Sequence, residues 1–345
     1  MKWVSICVPL LNGRKYLPER LDTICGQSYK DMDIFVYDSY SDDGSWEYCV
    51  DRARDDPRMR LVRGPREGVY PAWNQCVAQT TGEFVYFATC DDTMALDCIE
   101  ALATALDRHP ECDIAYCPLV IIDENGGKIA EGGWPDCTSL AEGVGASLKE
   151  PHIRHAPFDG FMHITGRHVI FSMTQVLVRR SVFAKVGEFS SRWGSSSDFN
   201  WEMKAGLLSN VVHVPDTWAS WRRHPTQLTA SVQAHTEEFQ NRIEEMIEDA
   251  LAFWRAHLPP SQRLFLDAPW LRAREPLMRY GREMRKRTSP MERRGYQLRQ
   301  ILAGDPMVRR EIIGRLWRRP RWSTSVLPSV REWFEQRGRV AIERI

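Results

Sequence analysis

Short apolar runs alternate with amphipathic stretches through the first third of the chain. Trp3–Pro9 has the composition of a buried β-strand, and Lys15–Ile24 then places apolar residues at helical spacing. Three further cycles follow, with predicted strands at Asp33–Asp38, Met59–Val62 and Phe84–Phe87 and predicted helices at Trp46–Arg54, Val69–Gln79 and Leu96–Leu106. This alternation predicts an α/β fold with a mostly parallel, Rossmann-like sheet that carries helices on both faces.

The pattern is less regular between Ile122 and Met173. Asp123–Lys128 is typical of a hairpin turn, and a segment rich in Gly, Pro and His follows it. A loop of this length in a compact domain either binds a ligand or is a flexible insertion. Four of its side chains are candidate contacts for an acceptor substrate, namely Trp134, His155, His163 and His168.

From Glu237 onward the apolar spacing becomes helical, and the charge changes sign near the same position. Residues 1–235 hold 23 Lys+Arg and 31 Asp+Glu, a net charge of −8. Residues 236–345 hold the remaining 23 basic and 15 acidic residues, a net charge of +8, so the whole chain is neutral. We therefore predict two units, an acidic α/β domain at 1–235 and a basic, mostly α-helical C-terminal region at 236–345.

The C-terminal region is dominated by arginine. From Arg263 to the end there are 21 basic and 9 acidic residues, and arginines flank Trp317, Trp322 and Trp333. Two interpretations stay open: packing on the first domain, or contact with an anionic membrane surface. Nucleic acid is the least favoured partner because no recognition motif is present, and nothing in the sequence indicates the oligomeric state.

The expected location is the cytoplasm, with peripheral contact to the inner face of the membrane. No apolar run approaches the ~18 residues of a spanning helix, and the first residues lead directly into a strand pattern instead of a signal peptide. The nine cysteines include no Cys-x-x-Cys pair, which predicts reduced thiols.

The polar residues with chemical potential follow the predicted strands. Ligands of a parallel sheet bind at the carboxyl ends of its strands, and the loops there hold Asn12, Asp38–Asp43, Arg66–Gly68 and the pair Asp91 and Asp92. Neither Gly-x-Gly-x-x-Gly nor a Walker-type Gly-Lys-Ser/Thr occurs, so the standard phosphate-binding loops are excluded. The carboxylates of Asp91 and Asp92 suit Mg²⁺ or Mn²⁺, whose open positions accept diphosphate oxygens.

Six segments match a known family in order and in spacing. They are Val4–Asn12, Gln27–Tyr29, Val36–Ser45, Arg66–Asn74, Thr81–Phe84 and Cys90–Asp92. With these segments the chain resembles the GT-A-fold glycosyltransferases of family 2 over about residues 3–230. The resemblance implies a GT-A fold and an inverting, metal-dependent hexosyltransferase or related transferase.

The resemblance also implies which residues bind the nucleotide-sugar donor. They are Pro9, Asn12, Asp38, Ser41, Gly68, Asn74, Asp91, Arg222 and Arg223. Asp38 would contact the nucleoside base, and Asp91, Asp92 and His224 would ligate Mn²⁺ or Mg²⁺. The chain departs from the family at Thr89, which stands where the first aspartate of an Asp-x-Asp-Asp element is usual and leaves Asp91 as the principal ligand.

Family members that invert the anomeric centre use a carboxylate at the start of a late helix as the base. Trp193–Glu202 matches this segment, with Asp198 as the expected base, Glu202 as the second candidate and the adjacent serines as helix caps. The expected donor is a nucleotide diphosphate-sugar, with a UDP-sugar favoured. The expected acceptor is a glycan or a lipid-linked substrate in cell-surface polysaccharide synthesis.

Two other functions stay open. One is a sugar-1-phosphate nucleotidyltransferase, for which the loop after the first strand is a poor match. The other is an inactive GT-A-like scaffold that binds glycan or membrane, an interpretation prompted by Thr89.

Each site residue also has a purely structural interpretation. Asp38 can stabilise a turn, and Asp91 or Asp198 can cap a helix. His224 can be an ordinary surface histidine, and Gly68 can be a turn glycine. The functional hypothesis therefore depends on the agreement among separate loops more than on any one residue.

Overall fold

The computed structural model describes residues 2–131, 144–228, 236–268 and 330–345, and the positions from 271 to 313 except 272–275, 277, 278, 282, 285, 307, 310 and 311. The strands, in chain order, are β1 (Val4–Leu10), β2 (Met32–Asp38), β3 (Met59–Arg63), β4 (Phe84–Phe87), β5 (Ile114–Tyr116), β6 (Leu119–Ile122), β7 (Lys128–Glu131), β8 (His152–Arg154), β9 (Val176–Arg179), β10 (Val211–His213), β11 (Ala219–Arg222) and β12 (Ile342–Arg344). The helices are α1 (Leu17–Cys25), α2 (Ser45–Asp55), α3 (Val69–Gln79), α4 (Cys98–Arg108), α5 (Phe158–Ile164), α6 (Ser181–Val186), α7 (Ser197–Leu208), α8 (Glu237–Ala256), α9 (Pro290–Ala303) and α10 (Val330–Gln336). Short 3₁₀ helices occupy Gly145–Lys149, Met173–Gln175, Gly194–Ser196 and Pro260–Phe265.

The first four strands and helices confirm the predicted alternation, and each end lies within two residues of its predicted position. β2 and β4 both pair in parallel with β1, and β3 pairs in parallel with β2. Every residue of β1 and β4 is buried, as expected for strands with helices on both faces. The carboxyl ends of these four strands therefore lie along one edge of the sheet.

The complete sheet has nine strands in the order β12-β8-β10-β5-β9-β4-β1-β2-β3. β9 is antiparallel to both β4 and β5, while β10 is parallel to β5. A smaller sheet has the order β11-β6-β7. The predicted hairpin turn between β6 and β7 is confirmed, because Asp123 Oδ1 accepts hydrogen bonds from the amides of Asn125 and Gly127, each at 2.8 Å.

Neighbouring residues of β1 contribute to hydrophobic cores on opposite faces of the large sheet. Ile6 packs in the cluster that includes Leu21 of α1 and Leu102 of α4. Cys7 packs in the cluster that includes Trp201 of α7 and Trp254 of α8. The alternation of side chains along a strand produces both cores from one apolar run.

The C-terminal region contributes to the second of these cores. Phe161 of α5 lies edge-to-face against Trp254 and Phe265, with ring centroids 5.5 and 6.0 Å apart, and Phe265 stacks on Phe334 of α10. α10 is followed by the short strand β12, which pairs with β8 in the large sheet. The net charge of the chain changes sign near residue 235, but residues on both sides of this position contribute to the same hydrophobic core.

Two further expectations concern cysteines and membrane spans. The eight cysteines among the described residues are free thiols, and Cys137 lies outside those residues. In the described part of the chain no helix has the length and apolar character needed to cross a bilayer.

Candidate active site

The loops after β1 and β2 are joined through Asn12. Its side-chain nitrogen donates to Asp42 Oδ1 at 3.0 Å, and its side-chain oxygen accepts from the Asp42 amide at 3.0 Å. The Asn12 amide donates to Ser41 Oγ at 3.0 Å. At Gly13 a Cβ would lie 2.9 Å from both Cβ and Sγ of Cys90, so only glycine lets the loops after β1 and β4 approach this closely.

Asp38 is fully buried at the end of β2, and Arg63 at the end of β3 holds its carboxylate. Arg63 Nε donates to Asp38 Oδ2 at 2.8 Å, and Arg63 Nη2 donates to the Ser41 carbonyl at 3.0 Å. The Ser41 amide donates to both carboxylate oxygens of Asp38 at 3.2 Å. A buried carboxylate needs such partners, so this pair fixes the shape of the loop after β2.

Arg66 and Gly68 connect that loop to the start of α3. Arg66 Nε donates to the Ser39 carbonyl at 3.0 Å, and Nη2 donates to Asp42 Oδ2 at 2.9 Å. Gly68 has φ +103° at the N-cap of α3, a conformation that favours glycine. The predicted donor loops after β1, β2 and β3 therefore meet at one edge of the sheet.

Asp91 and Asp92, after β4, have different environments. Asp92 is 1% exposed, and it accepts hydrogen bonds from Thr89 Oγ1 and from the Arg222 amide. Burial and the charge of Asp91 raise the pKa of Asp92 to about 7. The side chain of Asp91 is 21% exposed, and its Oδ2 lies 2.9 Å from His224 Nε2. Of the two carboxylates, Asp91 is therefore the one that a ligand can reach.

Arg222 and Arg223 differ in the same way. The Arg222 side chain is 1% exposed; its Nε donates to the Asp91 carbonyl at 2.6 Å and its Nη2 donates to Glu19 Oε2 at 2.6 Å. Its guanidinium also stacks 5.0 Å from the Tyr16 ring. Arg223 is exposed. The predicted phosphate contact therefore fits Arg223, while Arg222 holds neighbouring loops together.

The predicted metal site of three side chains is not assembled. In the described residues no three His, Cys, Asp or Glu side chains lie where they could share an ion. Asp92 is excluded because it is buried and both of its oxygens accept hydrogen bonds from the protein. An ion held by Asp91 and His224 would replace their 2.9 Å hydrogen bond, and the carboxylate oxygen of Asp91 is the type of ligand that Mg²⁺ and Mn²⁺ prefer. These two residues fit a divalent ion that is held jointly with a bound donor.

Asp198 lies in the first turn of α7 and accepts a hydrogen bond from Tyr70 Oη at 3.1 Å. Tyr70 is in the first turn of α3, directly after Gly68 and Val69. This contact places the start of α7 beside the loop that follows β3. Ser196 at the N-cap makes no side-chain hydrogen bond to the helix, so the predicted serine cap is wrong there.

Burial and then the charge of Glu202 raise the pKa of Asp198 to about 7, although the hydrogen bond from Tyr70 opposes the shift. Glu202, one turn later, is buried, and its Oε2 lies 3.5 Å from His163 Nε2. Burial raises the pKa of Glu202, whereas Glu202 raises the pKa of His163 against the effect of burial. Asp198 keeps part of its surface exposed, so it is the carboxylate that an acceptor can reach.

Pro9 and Asn74 occupy supporting positions. Pro9 is buried in β1 opposite Tyr37 of β2. The side-chain amide of Asn74 donates to the Phe189 carbonyl at 2.8 Å and accepts from the Phe189 amide at 3.0 Å. Both ends of this amide are engaged by the segment that leads to α7, so Asn74 helps to position Asp198.

Two of the histidines that were predicted as acceptor contacts, His163 and His168, pack against each other. His163 is buried and stacks on His168 with ring centroids 5.2 Å apart, so a direct contact of His163 with an acceptor is wrong. His155 Nε2 lies 2.7 Å from Glu343 Oε2 of β12. Trp134 lies outside the described residues.

Sequence reasoning missed Arg63 and Tyr70 as site residues. Arg63 stands in register with Asp38 across the β2–β3 pair, and Tyr70 follows the loop after β3. A signal existed in both cases, since each residue lies at the edge of the sheet where ligands bind. The pairing itself depends on strand register and helix orientation, which the sequence does not show.

The fold is of the GT-A class: a mostly parallel sheet whose polar loops, the partly exposed Asp91 after β4 and the start of α7 with Asp198 lie at one edge. Residues 5–187 match the family model described as "Glycosyl transferase family 2". This match covers more than half of the 345 residues, and the chain belongs to glycosyl transferase family 2.

Several bacterial glycosyltransferases are similar in sequence to this chain. The glycosyltransferase GlyA of Streptococcus pneumoniae is 29% identical over 124 residues, which are 36% of this chain and 18% of GlyA. A PGL/p-HBAD biosynthesis glycosyltransferase of Mycobacterium tuberculosis is 28% identical over 216 residues, which are 61% of this chain and 73% of that protein. The match to GlyG of S. pneumoniae covers 42% of GlyG, so the chain corresponds to less than two thirds of either pneumococcal relative.

Two solved structures have a similar fold. The structure of S. aureus TarS residues 1–349 in complex with UDP-GlcNAc gives a TM-score of 0.55 at 19% identity, covering 73% of this chain and 66% of that one. The mannosyltransferase PcManGT of Pyrobaculum calidifontis, in complex with GDP-Man and Mn²⁺, gives a TM-score of 0.50 at 18% identity, covering 77% and 78%.

Proposed function

We propose that this protein is a metal-dependent inverting glycosyltransferase. It transfers a hexosyl or related sugar from a nucleotide diphosphate-sugar, with a UDP-sugar favoured, to a hydroxyl of a glycan or lipid-linked acceptor in cell-surface polysaccharide synthesis. The observation that carries the proposal is Asp198, a partly exposed residue whose carboxyl group has a pKa raised to about 7 and accepts a hydrogen bond from Tyr70 at this edge of the sheet.

The proposed chemistry is a single displacement at the anomeric carbon. The acceptor hydroxyl gives its proton to Asp198 while its oxygen forms the new bond to the anomeric carbon. The bond from that carbon to the diphosphate oxygen breaks, and the electron pair leaves with the nucleoside diphosphate. Attack opposite the leaving group inverts the configuration. A base whose pKa lies near the working pH is available in its ionised form and still accepts a proton effectively.

The hydrogen bonds of Asp198 indicate which of its oxygens takes the proton. Tyr70 Oη and the Phe199 amide both donate to Oδ1, at 3.1 and 3.0 Å. Burial and the nearby charge of Asp198 raise the pKa of Tyr70 well above its usual range, so its hydroxyl stays protonated and remains a donor. We therefore assign proton transfer to Oδ2.

The donor would lie across the loops after β1, β2 and β4. The loop shaped by Asp38, Ser41 and Asn12 would receive the nucleoside, and the exposed Arg223 would contact the diphosphate. Asp91 and His224 would hold Mn²⁺ or Mg²⁺, which supplies positive charge against the diphosphate. TarS with UDP-GlcNAc and PcManGT with GDP-Man and Mn²⁺ support a diphosphate donor and a divalent ion.

The nucleotidyltransferase alternative lacks support in the loop after β1. Such an enzyme needs basic side chains there for its phosphates. Arg14 stacks on Tyr48 at 4.4 Å, and Lys15 Nζ lies 2.8 Å from Glu124 Oε2, so both cations have other partners. Sugar transfer from a nucleotide-sugar would exclude the inactive-scaffold alternative.

The first experiment measures sugar transfer and donor hydrolysis with UDP-, GDP- and dTDP-sugars, with and without Mn²⁺. We expect turnover with one class of donor, with a UDP-sugar first, and stimulation by Mn²⁺. If no donor binds or reacts under any of these conditions, the proposed function is wrong.

The second experiment tests the base. Asp198→Asn is expected to lower the turnover number by about 10²–10⁴-fold while donor binding stays within about twofold, since the donor loops are unchanged. Asp216→Asn, at an exposed aspartate outside the site, is the matched control and should retain full activity. Unchanged transfer by Asp198→Asn would show that another group is the base.

A further inference from the structure

Helix α9 in the C-terminal region has an apolar face that points to solvent. Met291, Leu298 and Leu302 are 82%, 56% and 71% exposed, far more than apolar residues of a packed helix. They occupy positions i, i+7 and i+11, which lie on one face of an α-helix. We name this set of three side chains the α9 face.

The opposite side of α9 accounts for its contacts with the rest of the protein. Tyr296 and Ile301 pack against a small hydrophobic cluster of Tyr280, Val308 and Ile312. The helix is therefore anchored by one side and presents the other. Ser289 and Glu292 form a capping box at its start, which stabilises the helix independently of the α9 face.

Arginines border the α9 face on both sides. Arg294 lies one turn from Met291 and from Leu298, and Arg299 lies one turn before Leu302 on the other flank. Both arginines are exposed. Apolar residues bordered by arginine are the arrangement of helices that lie in the interface of an anionic bilayer, with the apolar side in the acyl boundary and the cations among the headgroups.

We propose that α9 docks the protein on an anionic lipid bilayer through the α9 face, with Arg294 and Arg299 contacting lipid headgroups. Charge complementarity selects this occupant over a second copy of the chain. In a symmetric dimer through this face the exposed Arg294 and Arg299 side chains of both copies would meet, which brings like charges together. An anionic bilayer supplies the opposite charge and an apolar phase at once.

The test is flotation of the full chain with vesicles made of equal parts phosphatidylcholine and phosphatidylglycerol, compared with pure phosphatidylcholine. We expect binding only to the anionic vesicles, and a steep decrease with added salt. Leu298→Gln/Leu302→Gln and Arg294→Gln/Arg299→Gln are each expected to weaken binding at least about tenfold. All four side chains are exposed, and thermal unfolding followed by circular dichroism verifies that each variant remains folded.

Two matched controls separate the α9 face from general surface properties. Leu266→Gln removes a 44% exposed leucine elsewhere in the C-terminal region, and Arg54→Gln/Arg108→Gln removes two exposed cations of the acidic part. Both should bind vesicles like the natural protein. Binding that is absent, or that the α9 variants do not weaken, would overturn the proposal. A mass in light scattering that halves in Leu298→Gln/Leu302→Gln would assign the face to a second copy instead. None of these outcomes depends on sugar transfer.

Discussion

Removing the hydroxyl of Tyr70 is the most direct perturbation of the proposed base. In Tyr70→Phe the ring keeps its contacts with Trp73 and Phe189, whose centroids lie 5.7 and 6.2 Å away, while the hydrogen bond to Asp198 Oδ1 is lost. This hydrogen bond favours the ionised form of Asp198, and it opposes the effects of burial and of Glu202. The variant is therefore expected to have a base with a higher pKa.

The size of the pKa shift of Asp198 follows from the free energy that a hydrogen bond to a charged group contributes. Such a bond contributes about 1.5–3 kcal/mol, and a neutral carboxyl group recovers roughly half of it, which leaves about 0.8–1.5 kcal/mol for the ionised form. That difference reaches about one pKa unit at its upper end, from about 7 to about 8. At about pH 6 the ionised fraction of Asp198 then decreases by up to almost tenfold, whereas at about pH 9 it hardly changes.

The assay is the pH dependence of the turnover number at saturating donor and acceptor. We expect Tyr70→Phe to lose up to almost tenfold in activity near pH 6 and little near pH 9, so that its acidic limb moves to higher pH. Tyr29→Phe is the matched control, because it also loses one hydroxyl hydrogen bond, to the Lys2 carbonyl at 2.6 Å, far from the site. An equal loss of activity at every pH would refute the reasoning, since Tyr70 would then act only through packing.

The other predictions concern stability and the donor site. Asp198→Asn should stabilise the fold above pH 7. The Asp198 carboxyl group loses its proton near pH 3.8 in the unfolded state but only near pH 7 in the folded state, so its cost to the free energy of unfolding grows from about pH 4 to 7 and stays at its maximum above pH 7. The gain in the free energy of unfolding, at most about 4 kcal/mol, should be larger in urea titrations near pH 8 than near pH 5, and equal gains would contradict it. Asp91→Asn should abolish stimulation by Mn²⁺ without changing the melting temperature, whereas Asp92→Ala should lower that temperature because Thr89 and the Arg222 amide lose their buried acceptor; the reverse result would exchange their roles. Arg223→Gln should weaken UDP binding several-fold in calorimetry with normal stability, and Arg222→Gln should lose about 1–3 kcal/mol of stability because the Asp91 carbonyl loses its hydrogen-bond donor. Equal stability of the two arginine variants would contradict this assignment.

The strands next to the donor loops could be predicted because each is a continuous apolar run bounded by polar loops. β1 and β4 are buried along their whole length, and this burial leaves a clear mark in the sequence. β8, β10 and β12 have three residues each, which is too short for any periodicity to be recognised. Their place in the sheet depends on contacts between distant segments, such as Ile342 opposite Arg154.

The site could be predicted as a set of loops, but the direction of individual side chains could not. Asp91 and Asp92 are neighbours in sequence, yet the first is accessible and the second is buried. Arg222 and Arg223 follow the same rule at the end of β11, where successive side chains point to opposite faces of the strand. In each of these two pairs one side chain is accessible to a ligand and the other is held inside the protein, and only the folded structure shows which of the two is accessible.

The different environments of Asp91 and Asp92 explain the role of Thr89, which is to satisfy the buried carboxyl group. Its hydroxyl donates to Asp92, the buried carboxyl group, whereas the partly exposed carboxylate of Asp91 contacts His224. An aspartate at position 89 would set a third carboxyl group against Asp92, whose pKa burial and Asp91 already raise to about 7. A hydroxyl donor satisfies Asp92 without adding charge. The departure from the family's aspartate therefore changes the internal support of the loop and leaves the residues that face a donor in place. For this reason Thr89 does not favour an inactive scaffold over an enzyme.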